Sequence, residues 1–377
     1  MNNFIGTACY EGSMSDKSAP TKTISDFEAK LNEADKTVAA FDSSREGMLF
    51  RFRSLLREYP TSIPAMVLLL SVFCFGFNAL FINPNNFVTA TAFSTILQQV
   101  TVTGIVAVAQ TIIILTAGID LSVGAILIIS AMVMGKLAVF AGVPVFAAVP
   151  LGMLVGGFMG WINGVLVTYV KIPPFIVTLG TLNVFNALKL WYTQSTSIRA
   201  SDIEDKAPNL LLFGNEIHLG NATFILGTLA LLVLGVLVWY MLNRTPWGRH
   251  VHALGDDPDA AMLSGIRTER TLVSVYVVAG LICGFGAWVS IGRVGSVSPI
   301  SFETINLDSI TAVVIGGTSL FGGRGSIFGT ILGALIVGVF NSGLAIAGVD
   351  DYWQYFASGC LVIVAVALDQ WLRRASQ

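Results

Sequence analysis

The chain has 377 residues, of which 54 % are hydrophobic and 12 % charged, with a formal net charge of −2 and a mean hydropathy of +0.75. Soluble domains carry roughly 25 % charged residues, so a soluble enzyme and a disordered or fibrous chain are excluded, and the absence of a basic field argues against nucleic acid as a partner. What remains is a polytopic membrane protein, in which backbone groups in lipid must be satisfied within helices.

Residues 1–59 differ from the rest, with eight Lys/Arg and nine Asp/Glu. Ile24, Phe27, Leu31, Ala34, Val38 and Phe41 repeat at helical spacing, and Ser25 with Glu28 makes a capping-box pattern, so an amphipathic helix is expected over 25–42. Met48 to Leu56, with interleaved arginines, reads as a lead-in lying on the membrane surface. The remainder, 60–377, is the transmembrane domain. Residues 61–192 hold only Asp120, Lys136, Lys171 and Lys189 as charges. Spans of about 20 apolar residues are expected at 62–82, 100–117, 122–141, 144–170, 174–192, 222–243, 271–291, 305–319, 326–346 and 353–371. The fold class is therefore all-α, with about ten transmembrane helices. The 305–319 segment is short enough to be re-entrant, and 86–99 reads as a further amphipathic or broken helix. An even number of spans places both termini on one side. The Lys/Arg bias, 16 of 21 on that side, makes it the cytoplasmic one and puts the polar 193–221 loop outside.

Gly152, Gly156, Gly160 and Gly164 recur every four residues, as do Gly325, Gly329 and Gly333; such faces let transmembrane backbones approach closely. Gly118–Gly124 interrupts the apolar run around Asp120. Two roles are open there: Asp120 caps the next helix, or a broken helix exposes its carboxylate to a polar path. Gln98, Gln99, Ser122 and Asp308 are the other candidates for lining that path. The 244–270 loop is predicted to contain a short rigid helix, with Asp257 as cap, Pro258 at its first position and Gly265 at its end. A docking helix that transmits force needs such rigidity; a linker does not.

Catalytic signatures do not appear. There is no HExxH, GxSxG or Walker A run, and His250 and His252 lack a third ligand nearby. The four cysteines (Cys9, Cys74, Cys283, Cys360) lie far apart and suggest neither a zinc site nor a disulfide framework. No metal and no cofactor of the chain's own is expected.

The Ala-x-Gly…Ala-Ala-x-x-Ser-Gly-Ile loop, Ala253 to Ile266, resembles the coupling loop of permeases from ABC importers. Gly118–Gly124, Pro174–Gly180, Leu307–Leu320 and Gly322–Thr330 together resemble the ribose-type monosaccharide permease family over about residues 62–370. The resemblance implies an importer subunit of the bacterial inner membrane, paired with a second permease subunit as a homodimer. It also implies a cytoplasmic ATPase that binds the ATP and a periplasmic sugar-binding protein. On it, Gly248, Arg249, Ala253, Gly255, Ala260, Ala261, Ser264, Gly265 and Ile266 form the ATPase-coupling surface. A branched-chain amino acid permease and an ion-coupled secondary transporter are the alternatives. The chain departs from the family pattern in its long charged tail, in Asn306 where an acidic residue is common, and in Lys136 within a span.

Overall fold

The structure, a computed structural model, describes residues 62–82 and 86–374. The chain divides into two units, 1–59 and 60–377. The amphipathic helix expected over 25–42 and the lead-in after it lie outside the described residues.

Each of the ten apolar segments contains a helix. These are α1 (Ser62–Phe77, continued by a π-turn at Asn78–Ile82), α2 (Ala90–Leu115), α3 (Val123–Gly135, continued by a π-turn at Lys136–Phe140), α4 (Val145–Thr168) and α5 (Pro174–Thr193). After the polar 193–221 segment and its short α6 (Ala200–Lys206) come α7 (Leu226–Arg244), α8 (Pro246–Asp256), α9 (Pro258–Leu263) and α10 (Thr268–Val294). The chain closes with α11 (Ile305–Ile315), α12 (Ile327–Ile346) and α13 (Asp351–Arg374). Six of these are long and apolar enough to cross a membrane: α2, α3 with its continuation, α4, α7, α10 and α12. Shorter apolar helices lie at 64–80, 305–315 and 352–364.

Two boundaries differ most from expectation. The second span starts at Ala90, not at 100, because Thr89 caps it (Oγ1 accepts from Ala92 N–H, 3.1 Å). The segment 86–99 is therefore mostly the first turns of a continuous 26-residue helix, and Gln98 and Gln99 sit inside it. The segment 222–243 begins as a strand: β1 (Glu216–Leu219) pairs antiparallel with β2 (Ala222–Ile225), and the helix follows from Leu226. The polar 193–221 stretch is thus folded, with α6, a 3-10 turn at Pro208–Gly214 and one strand of that hairpin.

The core is built on glycine. On α4, Gly156 and Gly160 lie against the backbone of Gly280 and Tyr276 on α10, and a Cβ at either would overlap those carbonyls. Gly164 lies against Val273, and Gly284 of α10 meets Met153. The same device joins α11 to α12, where Gly316 meets Gly329 and Gly333 meets the Ala312 carbonyl. Without a hydrophobic drive between helices in lipid, this backbone approach supplies the van der Waals contact that holds them.

Candidate functional site

The 245–267 loop folds into two helices rather than one. Thr245 caps α8, its Oγ1 accepting from Gly248 N–H (3.3 Å), and Pro246 stands at the first position. Trp247 Nε1 donates to Ser274 Oγ (2.8 Å), which ties α8 to α10. Asp257 Oδ1 accepts from Asp259 N–H (2.9 Å) and Ala260 N–H (3.0 Å) and starts α9. Gly265, at φ +84°, ends it. The capped, glycine-terminated helix read from the sequence is present, with a second capped helix before it.

The loop residues divide into two sets. Arg249, Ala260, Ser264 and Gly265 are exposed, and Ala253 and Ile266 are half-buried. Gly248, Gly255 and Ala261 face inward, which corrects the expectation that they touch a partner. Gly248 lies against the Leu242 carbonyl, Ala261 is 3 % exposed, and Gly255 is wedged against the Leu115 carbonyl and the Gly323 amide. The outward surface of α9 instead presents Met262 and Leu263, the latter 86 % exposed. The sequence reading missed both, because apolar residues in a short helix read as core.

Gly255 marks a junction. Gly323 N–H donates to Leu115 O (2.9 Å), and Gly322 and Gly323 turn at φ +86° and +73°. Here the end of α8, the end of α2 and the turn before α12 meet backbone to backbone. From this junction two non-helical segments run into the bundle, 116–122 and 316–326.

The first of them contains Asp120, which is 1 % exposed. Its Oδ1 accepts from Ser122 N–H (2.7 Å) and Ser122 Oγ (2.6 Å), and its Oδ2 accepts from Asn163 Nδ2 (3.3 Å). Asn163 Nδ2 also donates to Ser122 Oγ (2.8 Å). Thr178 Oγ1 donates to the Ile119 carbonyl (3.0 Å). Asp120 and Ser122 are therefore enclosed and hold the break together, so the path-lining reading fails for them on geometry. As a cap, Asp120 takes only the Ser122 N–H just ahead of the helix. The helix starts at Val123, its N-cap Ser122 makes no side-chain cap bond, and Asn306 Oδ1 accepts from Gly124 N–H (2.7 Å) from across the bundle. Asn163 was invisible in the sequence as a lone asparagine in a glycine-rich span.

Gln98 and Gln99 are also committed. Gln98 Nε2 donates to Thr223 O (2.6 Å), fixing α2 to the hairpin, and Gln99 Oε1 accepts from Ser342 Oγ (2.6 Å), fixing it to α12. Of the five path candidates, Asp308 lines a cavity. It shares that cavity with residues of α12 and α13, and its Oδ2 accepts from Thr304 Oγ1 (3.0 Å).

Comparison with known proteins gives a consistent picture. A family model described as branched-chain amino acid transport system / permease component matches residues 92–366. The fructose import permease protein FrcC of Rhizobium meliloti is 46 % identical over 363 residues, covering 96 % of this chain and 100 % of that protein. The ribose import permease protein RbsC of Bacillus subtilis is 38 % identical over 208 residues, 55 % of this chain and 63 % of that one. The galactose/methyl galactoside import permease protein MglC of Haemophilus influenzae is 35 % identical over 216 residues, 57 % of this chain and 64 % of its own length. No solved structure matches.

Proposed function

Since this chain belongs to the sugar ABC importer permeases of the ribose-type family, we propose that it is the multi-pass subunit through which a monosaccharide crosses the bacterial inner membrane. Fructose is the first sugar to test. The relatives carry sugar names, which favours this reading over amino acids despite the name of the family model. In it the ATP is bound and hydrolysed by a separate cytoplasmic ATPase, a periplasmic binding protein delivers the sugar, and a second copy of the chain completes the path. The chain itself is not an enzyme. Both termini and the 245–267 loop are cytoplasmic.

One observation carries the coupling role. The two loop helices present Met262 and Leu263 outward while Gly255, at their junction, is locked to the ends of α2 and of the turn before α12. A partner that grips α9 therefore pulls on both broken segments that enter the bundle. Packed elements of this kind move as rigid bodies and switch between discrete arrangements. An apolar contact at Leu263 and Met262 supplies the grip, Ala260 and Gly265 permit close approach, and Arg249 and Ser264 flank it.

Reconstitution of the chain with its ATPase and binding protein in proteoliposomes tests the reading. Uptake of radiolabelled fructose or another monosaccharide should require ATP and both partners. Uptake driven by an ion gradient without ATP would overturn it and restore the secondary-transporter alternative. In a cysteine-free background, a thiol at Asp205 should be labelled from outside and one at Asp257 should not; the reverse pattern would sink the orientation.

A further inference from the structure

Helix α11 has 11 residues, about 16 Å at 1.5 Å per residue, against a hydrocarbon core of about 30 Å. Its far end leads through the Gly316–Gly325 turn to the junction beside Gly255. Its first turn, residues 305–308, therefore lies near mid-depth. The segment before it, carrying Phe302 at φ +57°, descends from the opposite side of the membrane.

Polar cavities flank this first turn on both sides. One, of about 360 Å³, is lined by the polar Thr304, Asp308, Asn341, Gln354, Tyr355 and Ser358 together with Leu307, Gly359 and Val362. The other, of about 370 Å³, is lined by Asn186, Lys189, Ser301, Glu303 and Asn306 among others. Both volumes fall within the ~300–1,000 Å³ range of small-molecule sites. Position along the helices places them in the half of the bundle away from α8 and α9. Gln354, Tyr355 and Ser358 follow the start of α13, and Asn341 and Lys189 are near the far ends of α12 and α5.

A charged side chain at the bilayer centre costs at least ~2.5–3.5 kcal/mol, so Asp308, on the first turn of α11, does not belong on a lipid surface; Lys189 lies near the end of α5 and Glu303 in the turn before α11. Thr304 Oγ1 donates to Asp308 Oδ2 (3.0 Å), and Lys189 and Glu303 attract one another across their cavity, yet hydrogen-bonding capacity remains around Asp308. Ser358 Oγ donates to Asn341 Oδ1 (3.0 Å) and Gln354 Nε2 to Val349 O (2.7 Å). Among the described residues, that leaves Asp308 Oδ1, Asn341 Nδ2, Gln354 Oε1 and the Tyr355 hydroxyl without a hydrogen bond. Several donors and acceptors converging on a space of this size are what a polyhydroxylated molecule satisfies. The apolar cavities elsewhere, such as the one between α1 and α2 lined by Leu69, Phe73, Phe77 and Phe93, offer it nothing.

We propose that the polar face on either side of the first turn of α11 is the transit site for sugar, in which Asp308, Asn341 and Tyr355 on one side and Lys189 and Glu303 on the other hydrogen-bond the cargo after its delivery. The inference rests on the sugar-permease reading and adds a place and a residue set to it. Asp308→Asn and Tyr355→Phe keep the shape and remove one acceptor charge and one hydroxyl. In proteoliposomes with both partners, each should lower fructose uptake about five- to tenfold or change the preference between fructose and ribose. ATPase activity stimulated by the loaded binding protein should stay within about twofold of the parent. As a second measurement, Val362→Cys in a cysteine-free background should react with a small methanethiosulfonate reagent, and more slowly while sugar is being transported. Parent-like uptake and selectivity in both variants, or labelling unaffected by sugar, overturns the site while leaving the permease reading intact. Failure of the parent chain to take up sugar with ATP overturns the permease reading, and the site falls with it.

Discussion

Gly255→Ala is the sharpest probe of the junction between the loop helices and the bundle. The added Cβ would overlap the Leu115 carbonyl and come within 2.7 Å of the Gly323 amide. These are backbone atoms at the ends of two other elements, so no side chain can swing aside. Overpacking at such a point costs roughly 1–3 kcal/mol, and loss of the Gly323 N–H to Leu115 O bond adds about 0.5–1.5 kcal/mol. The expected cost is therefore about 2–4 kcal/mol, confined to the contact between α8, α2 and the turn before α12. At 1.4 kcal/mol per factor of ten, a coupling step that needs this contact should slow at least tenfold. Membrane insertion and yield should stay normal, because α4, α10 and their glycine interface are untouched. The assay is sugar uptake set against ATP hydrolysis in the reconstituted complex, with Gly265→Ala as comparison. Gly265 has no atom within 4 Å of its would-be Cβ, so that variant bears only the left-handed backbone strain at φ +84°, about 1–2 kcal/mol. If Gly255→Ala transports as well as the parent chain, the junction does not transmit motion and the argument from its packing is wrong.

Leu263→Glu should leave expression and thermal stability unchanged, since the side chain is almost wholly exposed, yet abolish co-purification with the ATPase. Retained co-purification would move the contact elsewhere. Ala261→Arg, by contrast, places a long cation at a buried position and should dislodge α9, seen as faster proteolysis within 245–267. Asn163→Ala leaves the buried Asp120 carboxylate without its Asn163 donor and should cost about 1–3 kcal/mol, read as a lower thermal midpoint in detergent. Gly160→Val should abolish assembly through its clash with the Tyr276 backbone, whereas Gly180→Val, with open space around it, should be tolerated.

The architecture was legible because its causes are local. Charge-free apolar runs gave the helices, and glycines spaced by four marked α4 as a close-packing face, whose partner α10 the structure supplies. Asp257, Pro258 and Gly265 set the limits of α9 within a few residues of chain. What sequence could not show depends on partners far apart. Asp120, Ser122 and Asn163 form one network across 43 positions. Asn306 serves Gly124 from 182 positions away. Gln99 is matched by Ser342 across 243. A polar residue in a membrane span is ambiguous for this reason: alone it suggests a path, and only the partner decides between path and fastening.

That distinction also orders the polar residues by role. Where a polar side chain has a bond to another element of the fold, the bond offsets its cost in lipid and the residue is structural, as at Gln98, Gln99, Asp120 and Ser122. Where hydrogen-bonding capacity is left over beside a space the size of a small solute, the cost is not offset within the chain. Asp308 and the groups around it are of the second kind, and they stand where a half-length helix begins near mid-depth. The broken segments have a mechanical consequence as well. The 316–326 turn joins the Gly255 junction to α11, and Asn306 at the start of α11 holds Gly124 at the start of α3. A shift of the loop helices, as proposed above, would reach the polar face through backbone and one hydrogen bond, with no long side-chain relay between them.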